Sequence, residues 1–232
     1  MKEKVAVVVA HPDDEVLAFG GSICRHVDFG ESVSVLILAT GLASRATDGV
    51  VCSDQLEKLR SEARAAAKIM GVTAIEFADF PDNRMDSVAL LDVVKVISTF
   101  LEKISATTIY THHVGDLNID HSITARAVMT AARPLPGSCV NRIYAGEVLS
   151  SSEFSFRENR FVPTTYIAIE SYLERKCVAL NCYSTELRQW PHPRSIQAVK
   201  SLAQFRGSES GMTAAEGFLV VREVISERSK EN

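Results

Sequence analysis

Residues 5–15 read Val5-Ala6-Val7-Val8-Val9-Ala10-His11-Pro12-Asp13-Asp14-Glu15. The first five residues are a short, continuous, mostly β-branched run, which is typical of a buried strand in a parallel sheet. The next six place an imidazole and three carboxyl groups where that strand ends, and open α/β sheets bind ligands at the carboxyl ends of their strands. His11 and Asp14 can reach one cation, which leaves Asp13 free to transfer a proton. Taken alone, the motif could also be a strand-to-helix turn whose acids stabilise the helix dipole.

A second polar cluster favours the metal interpretation. It spans residues 112–121 and follows another strand-like segment, residues 107–111. It contains His112, His113, Asp116, Asp120 and His121. Two strand ends that each carry His and Asp supply what a three-ligand zinc site with an open fourth position requires.

The order of the apolar segments predicts the fold class. Strand-like and helix-like segments alternate four times in residues 1–133, which predicts an α/β, single-domain, Rossmann-like, mostly parallel sheet with helices on both faces. Residues 134–232 are expected to complete the sheet and the substrate cleft within one domain, 1–232. Their last strand, near 218–224, is expected at an edge of the sheet. A polar loop is expected over 41–53 and a frayed end over 227–232.

Composition excludes several classes of protein. Hydrophobic residues make up 46% and charged residues 23% of the chain, as in ordinary soluble globular proteins. A net charge of −4 gives no electrostatic case for nucleic acid or an anionic membrane as partner. No apolar run has the length of a membrane span or of an export signal, so a cytoplasmic protein is expected. The five cysteines form no CxxC pair and are expected to be reduced thiols rather than metal ligands.

The Ala-His-Pro-Asp-Asp-Glu motif and the later Asp120-His121 pair resemble the LmbE/PIG-L family of zinc-dependent N-deacetylases, as does the helix that ends near Gly71. The resemblance implies that His11, Asp14 and His121 bind Zn²⁺, with Fe²⁺ as an alternative. It also implies that Asp13 is the general base for attack by a zinc-bound water. Asp120 is expected to orient an imidazole from outside the ligand set.

One position departs from the family pattern. Many members have His-Pro-Asp-His where this chain has Asn118-Ile119-Asp120-His121, and the first His is thought to stabilise the oxyanion. Loss of such a donor costs about 10²–10³ in rate, so another group should serve. Asn118, His112 and His113 are the alternatives, and His112 is the one we predict to be catalytic.

Five residues are predicted to bind substrate. They are Asp82, Arg84, Asn118, His192 and Arg194. The competing interpretations are a solvated turn for the first two and a rigid proline-rich loop for the last two.

The expected reaction is removal of an N-acetyl or other N-acyl group from an amino sugar, a sugar nucleotide or a glycoconjugate. The alternatives are an amidase acting on a larger glucosaminyl amide or on an N-formyl sugar, and a non-catalytic Rossmann-like module that binds a nucleotide or sugar. A homo-oligomer is compatible with the sequence. A serine or cysteine hydrolase is disfavoured because no GxSxG-type setting is present.

Overall fold

The computed structural model describes residues 2–42 and 53–225. Most of the predicted loop 41–53 and all of the predicted frayed end 227–232 lie outside these residues. In chain order the elements are β1 (Lys4–Val9), α1 (Asp14–Asp28), β2 (Ser32–Ala39), α2 (Ser53–Met70), β3 (Ala74–Phe80), α3 (Leu90–Ile104), β4 (Thr108–His112), α4 (Ile119–Ala131), β5 (Arg142–Gly146), β6 (Thr165–Ala168), α5 (Leu173–Leu180), α6 (Ile196–Ser210) and β7 (Ala215–Glu223). Short 3-10 turns fill parts of the connections, including Met85–Ser87 and Ser152–Phe154.

The strands form one seven-stranded sheet in the order β3-β2-β1-β4-β5-β7-β6. β7 pairs antiparallel with both β5 and β6, and the other pairs are parallel. The predicted mostly parallel Rossmann-like sheet is therefore confirmed. The prediction of β7 as an edge strand is wrong, because β6 pairs along its outer side and forms the edge. The apolar pattern of one strand carries no information about which strands flank it.

β1 lies inside the sheet, between β2 and β4, and is buried on both faces. Val5, Val7 and Val9 contribute to a core that contains side chains of α1, α2, α5 and α6. Ala6 and Val8 contribute to a second core with side chains of α3 and α4. Burial on two faces is the reason why the sequence of β1 is a continuous apolar run rather than an alternating one. No helix in the described part of the chain is long and apolar enough to cross a membrane.

The register of the central strands positions the polar clusters. β1 and β4 are parallel neighbours, with Val7 opposite Tyr110. Their carboxyl ends therefore lie side by side at one edge of the sheet, so His11 and His112 leave the sheet close together. α4 begins a few residues after β4 and carries His121 in its first turn.

Candidate metal centre

Three side chains from the two polar clusters converge on one point. His11 Nδ1 lies 3.3 Å from Asp14 Oδ2 and 3.3 Å from His121 Nε2, and His121 Nε2 lies 3.2 Å from Asp14 Oδ2. Ligand atoms bonded at about 2.0–2.1 Å to a tetrahedral zinc ion lie about 3.3 Å from one another. The three atoms thus form a nearly equilateral triangle with the size of one face of a zinc coordination tetrahedron. All three residues are buried, so the donor set fits a divalent cation.

Each imidazole has a carboxylate at its other nitrogen. His11 Nε2 lies 3.0 Å from Asp120 Oδ2 and 3.2 Å from Asp82 Oδ1. His121 Nδ1 lies 3.2 Å from Asp116 Oδ1. Carboxylates in this position fix the tautomer and the direction of a metal-binding histidine. The His11 ring is therefore held with Nδ1 in the triangle, and the negative charge of Asp116 lies next to the far nitrogen of His121.

Asp120 orients His11 rather than its sequence neighbour His121. Its Oδ2 accepts a hydrogen bond from the backbone N–H of Asn83 (2.6 Å), and its Oδ1 accepts one from Met85 N–H (3.0 Å). The turn that follows β3 therefore fixes the carboxylate. The sequence predicted an orienting role for Asp120 but did not identify the imidazole that it contacts.

Asp116 contacts the triangle, a role that the sequence analysis did not assign to it. Its carboxylate accepts hydrogen bonds from the hydroxyls of Ser151 and Ser152 and from the backbone N–H of Asn118 (2.9 Å). Burial alone would raise the pKa of Asp116, but the contacts with His121 and the two serines lower it to about 2. Asp116 is therefore a carboxylate anion that faces His121. Its position inside the cluster 112–121 is the sequence feature that could have indicated this role.

The surrounding carboxylates stabilise positive charge at the triangle. Burial alone would lower the pKa of His121, but Asp14 and Asp116 raise it to about 9. The pKa of His11 likewise rises well above its usual value, since contacts with Asp120, Asp14 and Asp82 outweigh burial. A divalent cation satisfies the same carboxylates when it replaces the protons on these imidazoles.

Asp13 lies beside the triangle in an unusual conformation. Its φ of 105° falls in the left-handed region, which costs a non-glycine residue about 1–3 kcal/mol and is found mainly where function requires it. The side chain is buried, and Oδ2 lies 3.4 Å from Arg194 Nη1 without a hydrogen-bond partner among the described residues. Burial raises the pKa of Asp13 well above its usual value, although Arg194 opposes this shift. Asp13 is therefore a carboxyl group with an unused acceptor site.

The two neighbouring histidines at the end of β4 lie in different environments. The His112 ring stacks on His121 with a centroid distance of 3.9 Å, and its Nε2 accepts a hydrogen bond from Ala10 N–H (2.8 Å). Burial lowers the pKa of His112 to about 3, so the ring is neutral and carries its hydrogen on Nδ1. His113 instead contacts the carbonyl oxygen of Asn159 (3.0 Å). The oxyanion role of His112 stays a prediction.

The structure brings two of the predicted substrate-binding residues to the site. These are Asp82, which contacts His11, and Arg194, which lies beside Asp13. Asn118 caps α4, since its side-chain oxygen accepts from Asp120 N–H (2.9 Å). Its side-chain nitrogen donates to Asn83 Oδ1 (3.1 Å).

Arg84 and His192 are exposed. No hydrogen bond or ion pair joins either side chain to the triangle in the described part of the chain. His192 Nδ1 accepts from the backbone N–H of Arg194 (3.0 Å), which is the contact expected of a turn residue. Substrate binding by these two residues stays a prediction.

Comparisons with known proteins match the chain to one family model and to several relatives. Residues 6–132 match the sequence model of the PIG-L family, described as GlcNAc-PI de-N-acetylase. The chain is 28% identical to the uncharacterized deacetylase YaiS of Escherichia coli over 140 residues, which cover 58% of this chain and 71% of that protein. It is 34% identical to diacetylchitobiose deacetylase of Thermococcus kodakarensis over 102 residues, which cover 44% of this chain and 37% of that protein.

A relative with a different activity matches over a greater length. The chain is 25% identical to 4-oxalmesaconate hydratase of Pseudomonas putida over 222 residues, which cover 87% of this chain and 83% of that protein. Among solved structures, N,N′-diacetylchitobiose deacetylase from Pyrococcus horikoshii superimposes with a TM-score of 0.75 at 18% identity, over 95% of this chain and 84% of that chain. That likeness shows a shared fold.

Proposed function

Because the chain belongs to the PIG-L family, whose sequence model matches residues 6–132, we propose that it is a metal-dependent hydrolase. Its proposed reaction is removal of an N-acyl group, with acetyl as the first candidate, from an amino sugar or its conjugate. The observation that carries the proposal is the triangle of His11, Asp14 and His121 donor atoms with the Asp13 carboxyl group beside it. Zn²⁺ is the proposed ion and Fe²⁺ the alternative, since a His₂Asp set binds both.

Each residue of the site has its own proposed role in the reaction. His11, Asp14 and His121 would hold the cation, which supplies Lewis-acid chemistry when bound, making water nucleophilic near neutral pH and polarising an amide carbonyl. Asp13 accepts the proton of the attacking water as a C–O bond forms. It then gives that proton to the amide nitrogen as the C–N bond breaks, which leaves a carboxylic acid and a free amine. His112 is the proposed donor to the developing oxyanion.

A hydratase is the second candidate. The match to 4-oxalmesaconate hydratase covers 87% of this chain, compared with 58% for the match to YaiS. A cation held by three side chains next to a buried carboxyl base could also direct water onto a carbon–carbon double bond. In that case Asp13 would accept a proton from water as the C–O bond forms, the adjacent carbon would take up a proton to form a C–H bond, and no C–N bond would break.

The test compares products and one variant. Purified protein containing Zn²⁺ is incubated with N-acetylglucosaminyl compounds, including N,N′-diacetylchitobiose, and free amine and acetate are quantified. A parallel reaction with 4-oxalmesaconate follows its ultraviolet absorbance. We expect equal amounts of amine and acetate from the wild type, and a fall of about 10²–10⁴ in kcat for Asp13→Asn, which cannot accept the proton.

Asp92→Asn is the matched control, since Asp92 is an exposed acid on α3. Full deacetylase activity in Asp13→Asn would refute its role as base. Turnover of 4-oxalmesaconate without amine release from any acetylated sugar would assign the site to hydration. Absence of bound metal after purification without chelator, measured by elemental analysis, would contradict both proposals and favour a non-catalytic binding module.

A further inference from the structure

Two buried side chains connect Asp13 to the C-terminal part of the chain. Glu15 and Tyr183 are each 0% exposed. Among the described residues, no side-chain hydrogen bond or ion pair joins either of them to His11, Asp14 or His121. The Tyr183 hydroxyl donates a hydrogen bond to Glu15 Oε1. The other carboxylate oxygen, Oε2, accepts one from the backbone N–H of Asp13 (3.1 Å). A short chain of contacts therefore runs from the segment after α5 to the backbone of Asp13.

The backbone of Asp13 needs such a support. A φ of 105° is unfavourable for aspartate and persists only where surrounding contacts impose it. This conformation sets the direction in which the Asp13 side chain leaves the backbone. Glu15 is too enclosed to meet a substrate, and both of its oxygens are engaged. Its available role is to hold the Asp13 N–H.

The segment after α5 reaches Asp13 a second time. Glu186 N–H donates to the carbonyl oxygen of Tyr183 (3.1 Å), and the Glu186 carboxylate binds Arg194 Nη1 (2.9 Å). The same Arg194 nitrogen lies 3.4 Å from Asp13 Oδ2. Residues 183–194 therefore approach both the backbone and the carboxyl group of Asp13.

We propose that Tyr183 is a positioning residue for Asp13 and acts through Glu15. The hydroxyl fixes the Glu15 carboxylate, the carboxylate holds the Asp13 N–H, and the Asp13 side chain is thereby directed toward the reacting water. This inference rests on the proposed function, in which Asp13 is the general base. It assigns a role to a residue outside the stretch 6–132 that matches the family model.

The first variant is Tyr183→Phe, with Tyr110→Phe as its matched control. Tyr110 is also buried, and its hydroxyl bonds to a histidine, His26 Nε2 (2.8 Å), remote from the triangle. A misplacement of a catalytic group by about 1 Å can cost about 10²-fold in rate. We expect a loss of about 10- to 100-fold in kcat for Tyr183→Phe, with KM and bound zinc unchanged, and no loss of kcat for Tyr110→Phe.

The second comparison is a rescue at Glu15. Glu15→Gln keeps both contacts, since its amide oxygen can accept from Asp13 N–H and its amide nitrogen can donate to the Tyr183 hydroxyl oxygen. Glu15→Leu keeps neither. We expect Gln to restore most of the kcat that Leu loses. A loss in Gln as large as in Leu would show that the negative charge matters rather than the support, and would overturn the inference.

A readout without substrate separates this inference from the proposed function. Hydrogen–deuterium exchange of the peptide that contains Asp13 should be faster in Tyr183→Phe than in Tyr110→Phe. Unchanged exchange and unchanged kcat would overturn the inference, and so would equal losses of kcat in the two tyrosine variants. If exchange rises only in Tyr183→Phe but the wild type releases no amine, the support of Asp13 stands and the proposed function fails.

Discussion

Asp116 is a buried carboxylate that contacts the candidate metal centre without belonging to the triangle. It faces the far nitrogen of His121 at 3.2 Å and is held by two serine hydroxyls, Ser151 and Ser152. It therefore acts by fixing the ring and increasing the basicity of Nε2, the nitrogen of the triangle.

Replacement of Asp116 by asparagine should weaken metal binding. The side chain keeps its shape and loses its charge, so we expect the Kd for Zn²⁺ to rise about 10- to 100-fold, the usual cost of such a change. The Kd is measured by competition with a chromogenic chelator. Asp92→Asn, an exposed acid, should leave it unchanged. An unchanged Kd in Asp116→Asn would mean that the contact with His121 does not influence the bound ion.

At the residue scale, the sequence indicated the members of the triangle but not the groups that support them. The resemblance of two short motifs to the LmbE/PIG-L family implied that His11, Asp14 and His121 bind a metal ion. The structure brings their donor atoms together, and metal binding by them stays a prediction. The support of Asp116 comes from Ser151 and Ser152, whose approach depends on the path of a connection with no local signal. The same holds for Tyr183, which meets Glu15 only after the chain has completed the sheet.

At the scale of elements, a strand could be predicted from the sequence where both of its faces are buried. β1 is buried on both faces and its sequence is a continuous apolar run, so this strand and its place in a parallel sheet could be inferred. The position of β7 between β5 and β6 could not, since pairing depends on strands elsewhere in the chain. α4 begins at Ile119, where the Asn118 side chain caps it.

A buried ion pair ties three elements together away from the site. Lys176 Nζ of α5 lies 2.6 Å from Glu216 Oε1 of β7 and also donates to the carbonyl oxygen of Leu17 in α1 (2.8 Å). The Glu216 carboxylate also accepts from the backbone N–H groups of Gly21 and Ser22 (2.9 and 2.8 Å). The pair is almost fully buried, so each charge depends on the other.

Lys176→Met should therefore destabilise the fold. The substitution leaves the Glu216 carboxylate buried without its cation, which typically costs about 3–5 kcal/mol in the free energy of unfolding. The measurement is urea denaturation followed by circular dichroism. Lys200→Met removes a comparable but exposed pair with Glu174 and should change little. The double variant Lys176→Met/Glu216→Leu should recover part of the loss. Equal effects of the two lysine variants would contradict a buried, interdependent pair.

At the scale of the whole molecule, the site draws on both halves of the chain. The three residues of the triangle and Asp13 lie within residues 11–121, inside the stretch that matches the family model. The groups that hold Asp116 and Asp13 come from residues 151–194. Because these contacts are long-range, the binding of a cation at the triangle should stabilise the fold as a unit.

Metal binding should consequently be visible as thermal stability. A ligand present at about 1,000 times its Kd stabilises the folded state by about 4 kcal/mol. For a chain of this size, that corresponds to a rise of about 8–16 °C in Tm. We expect a chelator followed by desalting to lower Tm by this order, and stoichiometric Zn²⁺ to restore it, in differential scanning calorimetry.

His121→Ala removes one corner of the triangle and should show no response to either treatment. If the wild type and His121→Ala respond equally, the ion that stabilises the fold is bound elsewhere, because only binding at the triangle requires the His121 imidazole.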